Sequence, residues 1–401
     1  MLPWHSVTES KLLFANDILK VLYAPQKVFK EIIQNPKYLG PLLVFLIVVA
    51  AQSGFYYAQS EKIYYEQTYP TSDQLGLWTT NATLWTVSSG VTVNNNYVDS
   101  LNNSYYGNGT LQFAAVSTSA VSMAIPSFTN VDCSPSSFQN LSMRIKQVDP
   151  LSTPSKVTVT LYSQSDSNYF QYDLTSAFSN ASLIGVWNNI TIPVGSSASG
   201  WQANGNPQWT NVTGLKLDFS FPSANNVTLR MTGLFFRGEY KTFAQISISG
   251  LVITILQQSL FQFIFEWLFI TGLMYIIIRG LKGAITWKPV FIAIGIILIV
   301  TAIQAIISIA ATQTLPIIHS PIELQTGLPG EAQLISSALA LQTETYTLIT
   351  GIVQLITYAW IVALCALAVR AVQPGLSMLK CILASVAALV ATIILMSLLG
   401  V

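Results

Sequence analysis

Long apolar runs and one extended polar segment divide the chain between two solvents. Gly40 to Ala58, Pro289 to Thr312, Thr347 to Val369 and Met378 to Val401 are each nearly free of charge. A hydrocarbon core about 30 Å thick takes about 20 apolar residues as a helix, so each run predicts one membrane span. A fifth run, Ile246 to Ile278, has 33 residues by its numbering. At 1.5 Å per residue it would measure about 50 Å, longer than one crossing. It is expected to start as an interfacial helix and to enter the bilayer after Gly250.

The polar segment reads differently. Thr110 to Val116, Leu141 to Gln147, Lys156 to Tyr162, Tyr169 to Leu174, Gly185 to Pro193, Gly214 to Phe221 and Val227 to Phe236 are short alternating runs separated by Gly, Asn, Pro and Ser. Seven or so strands with turn residues between them predict an all-β sandwich. Within it Trp187-Asn-Asn-Ile-Thr-Ile-Pro193, then Gly205 to Asp218 containing Trp209, then Met231 to Phe236 follow in order. This succession resembles the galactose-binding-type jelly roll of carbohydrate-binding modules. The resemblance implies a sugar-binding surface, for which Trp201, Tyr162, Tyr169, Tyr172 and Trp209 are the aromatic candidates. Strand-borne aromatics such as Trp187 and Trp209 are ordinarily core. Trp201, in the Gly/Ser/Asn-rich loop Gly195 to Pro207, is the least expected of these to be buried and the first candidate to touch a ligand, with Tyr169 and Tyr172 as further candidates.

Charge orients the spans. Lys11, Lys20, Lys27, Lys30 and Lys37 precede the run from Gly40, Arg279, Lys282 and Lys288 follow the run ending at Ile278, and Arg370 and Lys380 follow the run ending at Val369. The segment Gln313 to Tyr346 carries Glu323, Glu331 and Glu344 with neither Lys nor Arg. The positive-inside rule then predicts five spans, N-terminus inside and C-terminus outside, with an uncleaved signal anchor first. The expected organisation is a cytoplasmic segment 1–39, a first span 40–58, an extracytoplasmic β-sandwich 59–243 and a four-span membrane domain 244–401. The glycosylation sequons at Asn81, Asn102, Asn108, Asn140, Asn180, Asn189, Asn211 and Asn226 all fall in the segment placed outside.

Composition narrows the function. The chain is 51% apolar and 9% charged with a net charge of +1, so it has no basic face to exchange counterions with nucleic acid. The cysteines Cys133, Cys365 and Cys381 place only one thiol in the polar domain, which excludes a disulfide there. The histidines are His5 and His319, too few for a zinc or haem site, so no cofactor is expected, and an oxygen-ligand calcium site in a β-loop is the one metal alternative left open. No G-x-S-x-G, P-loop, G-x-G-x-x-G or H-E-x-x-H occurs. Asp166, Asp173 and Asp218 read as surface carboxylates rather than a hydrolytic pair. The chain is expected to be non-enzymatic.

Ahead of the first span, Val28, Phe29, Ile32 and Ile33 share one helical face and Lys27, Lys30 and Glu31 the other, predicting a short helix on the cytoplasmic membrane surface. The lead Pro25, Phe29, Ile32, Pro36, the first span and residues 246–401, with Arg279-Gly-Leu-Lys-Gly283 after the second span, resemble the Yip family of five-span membrane proteins. Eukaryotic members of that family bind Rab/Ypt GTPases in vesicle traffic. Here the short first loop of the family is replaced by a domain of about 185 residues by its numbering. That insertion fits an archaeal cell-surface protein better than a trafficking factor, and the GTPase partner is not carried over.

One intramembrane stripe stands out. Gln258, Gln262 and Glu266 recur at i, i+4, i+8, so they share a helix face, and a carboxyl in a span should face the bundle, toward Gln304 or Gln354 and Tyr358. The leading expectation is a surface protein whose sandwich binds glycan or an envelope glycoprotein and whose bundle anchors it or relays occupancy. The alternatives are a permease or channel-like bundle using Glu266, and an envelope-organising or trafficking scaffold. Expected partners are the lipid bilayer and glycans; a second copy or another membrane protein stays open.

Overall fold

The computed structural model describes residues 18–100, 109–281, 283, 286–326 and 331–400. The sequons Asn102 and Asn108, with Lys11 and Lys282, lie outside the described residues. The chain forms two compact units. One gathers the residues up to Ile63 with Thr242–Ile318 and Leu339–Val401, and the other Tyr64–Lys241 with His319–Ala338.

The first unit is helical. Five helices are long and apolar enough to cross a membrane: Leu39–Ser60, Ile248–Gly280, Trp287–Thr312, Ser336–Val372 and Met378–Leu399. In chain order the helices are α1 (Pro25–Gln34), α2 (Leu39–Ser60), α3 (Ile248–Gly280), α4 (Trp287–Ile297), α5 (Ile299–Thr312), α6 (Glu331–Val372) and α7 (Met378–Leu399). The segment made of α4 and α5 is the central one, with 72% of its apolar window buried against 28–39% for the other four. It breaks at Leu298, whose carbonyl accepts from both the amide and the hydroxyl of Thr301. Gly295 permits the tightest crossing: a Cβ there would lie 2.7 Å from the Trp267 ring and 2.8 Å from Pro41. Trp267 uses that space to stack on Phe291 at 4.1 Å and to donate its indole N–H to the Phe291 carbonyl at 2.7 Å.

Three of the expected segments gain detail. The long segment is one continuous helix from Ile248 to Gly280, and Ser247, whose hydroxyl accepts from the Gly250 amide, starts α3 as its N-cap. Two apolar residues of α1, Val28 and Phe29, are buried in the core of this unit with Val290 and Ile292. The stretch expected as a loop from Gln313 to Tyr346 contains the short strand β11 (Ile318–Ser320), a turn of helix (Ile322–Thr326) and the start of α6. The Glu, Gln, Ala and Leu residues at the start of α6 are good helix formers, so polarity there does not mark a loop.

The second unit is an antiparallel β-structure. Its strands are β1 (Ile63–Tyr69), β2 (Thr86–Val87), β3 (Val91–Asn96), β4 (Thr110–Ile125), β5 (Asn140–Asp149), β6 (Lys156–Ser163), β7 (Ser165–Asp173), β8 (Asn188–Pro193), β9 (Trp201–Asn204) and β10 (Val212–Thr242). The stretches expected as separate strands before and after Pro222 are one strand, β10, bent where Phe221 to Ala224 drop out of register with β4. Pro222 cannot donate to a ladder, so the bend falls where pairing is already lost. On one side of the bend β10 pairs β4 and β6, and β7 and β9 continue outward; on the other it pairs β4 and β5, and β8 and β3 form the flanks. Two sheets sharing two bent strands close over one core, in which Leu111, Phe113, Met123, Leu141, Val159, Leu161, Leu217 and Phe219 are fully buried.

Charge also holds this unit. Arg237 of β10 donates from Nε and Nη2 to both carboxylate oxygens of Glu66 on β1, each at 2.8 Å, and from Nη1 to Glu323 at 2.5 Å. The Glu66 side chain is 2% exposed. Asp99 receives Lys146 at 2.9 Å and also Arg230. For Glu323 and Asp99, burial alone would raise the pKa, but their cationic partners outweigh it and hold both below the ordinary 4.5 and 3.8. Carboxyls lowered on folding give stability that is complete above the ordinary value and lost as pH falls through the folded one. The β-unit should therefore weaken progressively below about pH 4.5, read as tryptophan fluorescence of the full chain in detergent titrated with acid. Arg237→Ala, which leaves the buried Glu66 carboxylate unpaired, should cost about 3–5 kcal/mol in chemical denaturation at neutral pH.

Candidate functional site

The candidate site is the open face of the sheet formed by β9, β7, β6 and the first half of β10. Alternation along β7 decides which side chains belong to it. Phe170 points into the core, and Tyr172, two residues on, lies on the same inner side. Tyr169 and Gln171 therefore point outward. Cross-strand register extends this outward set: Tyr169 is opposite Tyr162 and Asn204, Gln171 is opposite Thr160 and Gln202, and Lys216 and Asp218 are opposite Thr160 and Thr158.

These residues make a shallow trough. Thr158 and Thr160 form its floor, 6% and 4% exposed, because longer side chains on either flank rise above them. Tyr162 and Tyr169 stand at one end with ring centroids 6.4 Å apart and planes at 80°. The Tyr162 ring rests over Gly214, where a Cβ would come within 3.1 Å of its Cδ2 and 2.8 Å of the Pro126 carbonyl. Lys216 and Asp218 pair at 3.1 Å along the other flank, each about one-third exposed. Burial raises the Tyr162 phenol, helped by Asp166 and Asp218 and opposed by Lys216, so it stays a protonated hydroxyl that donates and accepts. Asp173 is held below the usual carboxylate value by the hydroxyl and amide of Thr175. Asp173 and Asp218 thus both have partners.

The structure treats the sequence candidates unequally. Tyr169 and Tyr162 lie on the open face. Tyr172 does not: it packs among core aromatics, with the Trp201 ring 5.2 Å away and Gly200, at φ +89°, so close that a Cβ would sit 2.8 Å from the Tyr172 ring. Trp201 is not on an irregular loop but opens β9 opposite Tyr172. Its indole N–H donates to the Pro193 carbonyl at 2.8 Å, and its ring meets Trp209 edge-on at 5.3 Å. The short polar strand Trp201-Gln-Ala-Asn204 lacks the β-branched run that marks strands, which is why it read as a loop. Trp209 stacks on Phe170 at 3.8 Å, and Trp187 is half-buried just before β8. Gln171, Gln202 and Lys216 escaped notice in the sequence because only register places them beside the tyrosines.

In the helical unit, Gln262 and Glu266 of α3 line a cavity with Gln304, Gln354 and Tyr358, whereas Gln258, one turn earlier, is exposed. Of the described sequons, Asn180, Asn189 and Asn226 are exposed and Asn81, Asn140 and Asn211 half-buried. Asn81 and Asn180 each accept from the amide and hydroxyl two residues on, closing local turns.

No family model matches the sequence, nor does any curated protein. Among solved structures, similarity is found to the family 11 carbohydrate-binding module from Clostridium thermocellum in complex with a β-1,3-1,4-mixed-linked tetrasaccharide, at 12% identity, 43% of this chain, 94% of that chain and a TM-score of 0.27. An exo-β-agarase is similar at 11% identity over 38% of this chain and 23% of its own, TM-score 0.29. A β-1,2-glucanase from Parabacteroides distasonis is similar at 13% identity over 38% of this chain and 22% of its own, TM-score 0.27. The chain spans under a quarter of the length of these two enzymes.

The inner aromatic cluster has a measurable consequence. Trp201→Ala removes a half-buried ring and orphans the Pro193 carbonyl, so it should destabilise the chain by about 2–3 kcal/mol in denaturant titrations. Tyr169→Ala, on the open face, should change stability by under about 1 kcal/mol.

Proposed function

We propose that this chain is a non-enzymatic, membrane-anchored glycan-recognition protein, with the trough of β9, β7, β6 and β10 as its binding face. The observation that carries the reading is the combination on one solvent-facing sheet of two half-exposed tyrosines, a buried threonine floor and a flank of amides and one ion pair. A sugar presents apolar C–H faces between rings of hydroxyls. Tyrosines give the C–H faces a surface to pack on while keeping a hydroxyl wet, and Gln171, Gln202, Asn204, Lys216 and Asp218 supply donors and acceptors for the hydroxyls. With Asp173 and Asp218 already engaged, the face suits binding rather than acid–base chemistry.

The five apolar helices serve as the anchor. In this reading the N-terminus and the basic ends near Lys20, Lys27, Lys30, Lys37, Arg279, Lys288, Arg370 and Lys380 face the cytoplasm, and the β-unit faces outward with Asn180, Asn189 and Asn226 open to glycosylation. The Yip-like lead at Pro25, Phe29, Ile32 and Pro36 supports a five-span anchor of that family type. Glycans or glycoproteins of the cell envelope are the proposed partners.

The test is a glycan array probed with the full chain in detergent. Specific capture of glycans by the parent protein is expected, with affinity reduced about tenfold or more by Tyr162→Ala and by Tyr169→Ala. Capture that survives both substitutions, or no capture by a chain whose tryptophan fluorescence shows it folded, would overturn the assignment.

A further inference from the structure

Between the spans of the helical unit lies a cavity of about 390 Å³, lined unlike the apolar helices that enclose it. Gln52 of α2, Gln262 of α3, Gln304 of α5 and Gln354 of α6 bring four amides to it, and Glu266 of α3 brings a carboxyl. Thr392 and Ser397 of α7 add hydroxyls, so all five spans contribute. Four amides and a carboxyl are costly in hydrocarbon and mark the cavity as a candidate for a polar occupant.

Internal pairing leaves one buried acceptor over. The Tyr56 hydroxyl donates to Gln262 at 2.6 Å, and the Gln354 amide donates to the Tyr358 hydroxyl at 2.7 Å. Gln52 is only 6% exposed, yet its Oε1 has no hydrogen-bond partner. Among the described residues lining the cavity there is no Lys, Arg or His to balance Glu266. A buried acceptor calls for a donor or a cation, and a carboxyl without a counter-charge is neutralised by a proton or by a bound cation. The volume, set against about 30 Å³ per water, admits a hydrated ion or a small ammonium compound with waters.

We propose that this cavity binds one small monovalent cation, with the Glu266 carboxylate and the Gln52 carbonyl as ligands, in exchange for the Glu266 proton. In the exchange the Glu266 O–H bond breaks, the proton leaves to solvent water and the cation takes its place, so charge in the cavity is unchanged. The groups facing Glu266 do not compete for that role. Tyr56 of α2 and Tyr358 and Cys365 of α6 lie within its electrostatic reach, but phenols and thiols titrate well above carboxyls. The ionisable residue of α4, Lys288, sits at its first turn, 5.2 Å over the Tyr38 ring. The linings from α5 and α7 are amide, hydroxyl and apolar.

The test uses the full chain in lipid nanodiscs, weakly buffered with a pH-indicator dye and titrated with sodium chloride or methylammonium chloride over a pH series. Saturation should release about one proton per chain, with the apparent affinity weakening about tenfold for each pH unit below the Glu266 titration. Release with sodium alone identifies a metal-ion site, and release with methylammonium alone an organic ammonium site. E266Q should release none, and Q52L should keep the release while weakening affinity about tenfold, which holds the proposal testable if E266Q fails to fold. No release with either salt, or equal release from E266Q, would overturn it.

Discussion

The β-unit depends on one strand being shared. β10 pairs with β1, β4, β5 and β6, and its bend at Phe221 to Ala224 turns one ladder into two facing sheets. Every residue of the candidate face takes its position from the first half of that strand, through Gly214, Lys216 and Asp218. The second half is fixed by Arg237, whose guanidinium matches the two oxygens of Glu66 in the paired geometry that arginine allows and lysine does not. The buried pair also gives the Ile322 amide an acceptor, since it donates to Glu66 at 3.0 Å. That bond holds residues beyond His319 against the β-unit although more than two hundred positions separate them in sequence.

What could be read from sequence followed from where solvent is decisive. A helix that crosses hydrocarbon must be apolar for a fixed length, so the five helices long and apolar enough to do so are legible within a few residues at most ends. Strands with one buried face show alternation, so β6 was recovered almost residue for residue and β5 nearly so. The polar elements were not legible. β9 has no apolar partner sequence of its own and is a strand because Tyr172 and Phe170 pair with it, β1 and β3 were missed, and the polar start of α6 was taken for a loop.

The candidate site was half legible for the same reason. Composition pointed to aromatics, and Tyr162 and Tyr169 do reach the open face, but parity along β7 turns Tyr172 inward and the pairing of β9 takes Trp201 with it. An aromatic in a Gly/Ser/Asn-rich stretch looked exposed; its indole N–H found the Pro193 carbonyl instead. In the bundle the i, i+4 spacing was enough to bring Gln262 and Glu266 to one cavity. It could not show that Gln258 falls outside, because the lining depends on where α2 and α7 approach α3.

Amide hydrogen–deuterium exchange of the full chain, with and without a saturating glycan taken from the array, tests the central claim most directly. Protection concentrated in residues 158–173, 201–204 and 212–220, with β3 and β8 on the opposite sheet unchanged, is the expected pattern. Protection confined to β3, β5 and β8, or none at saturation, would contradict the assignment of the binding face.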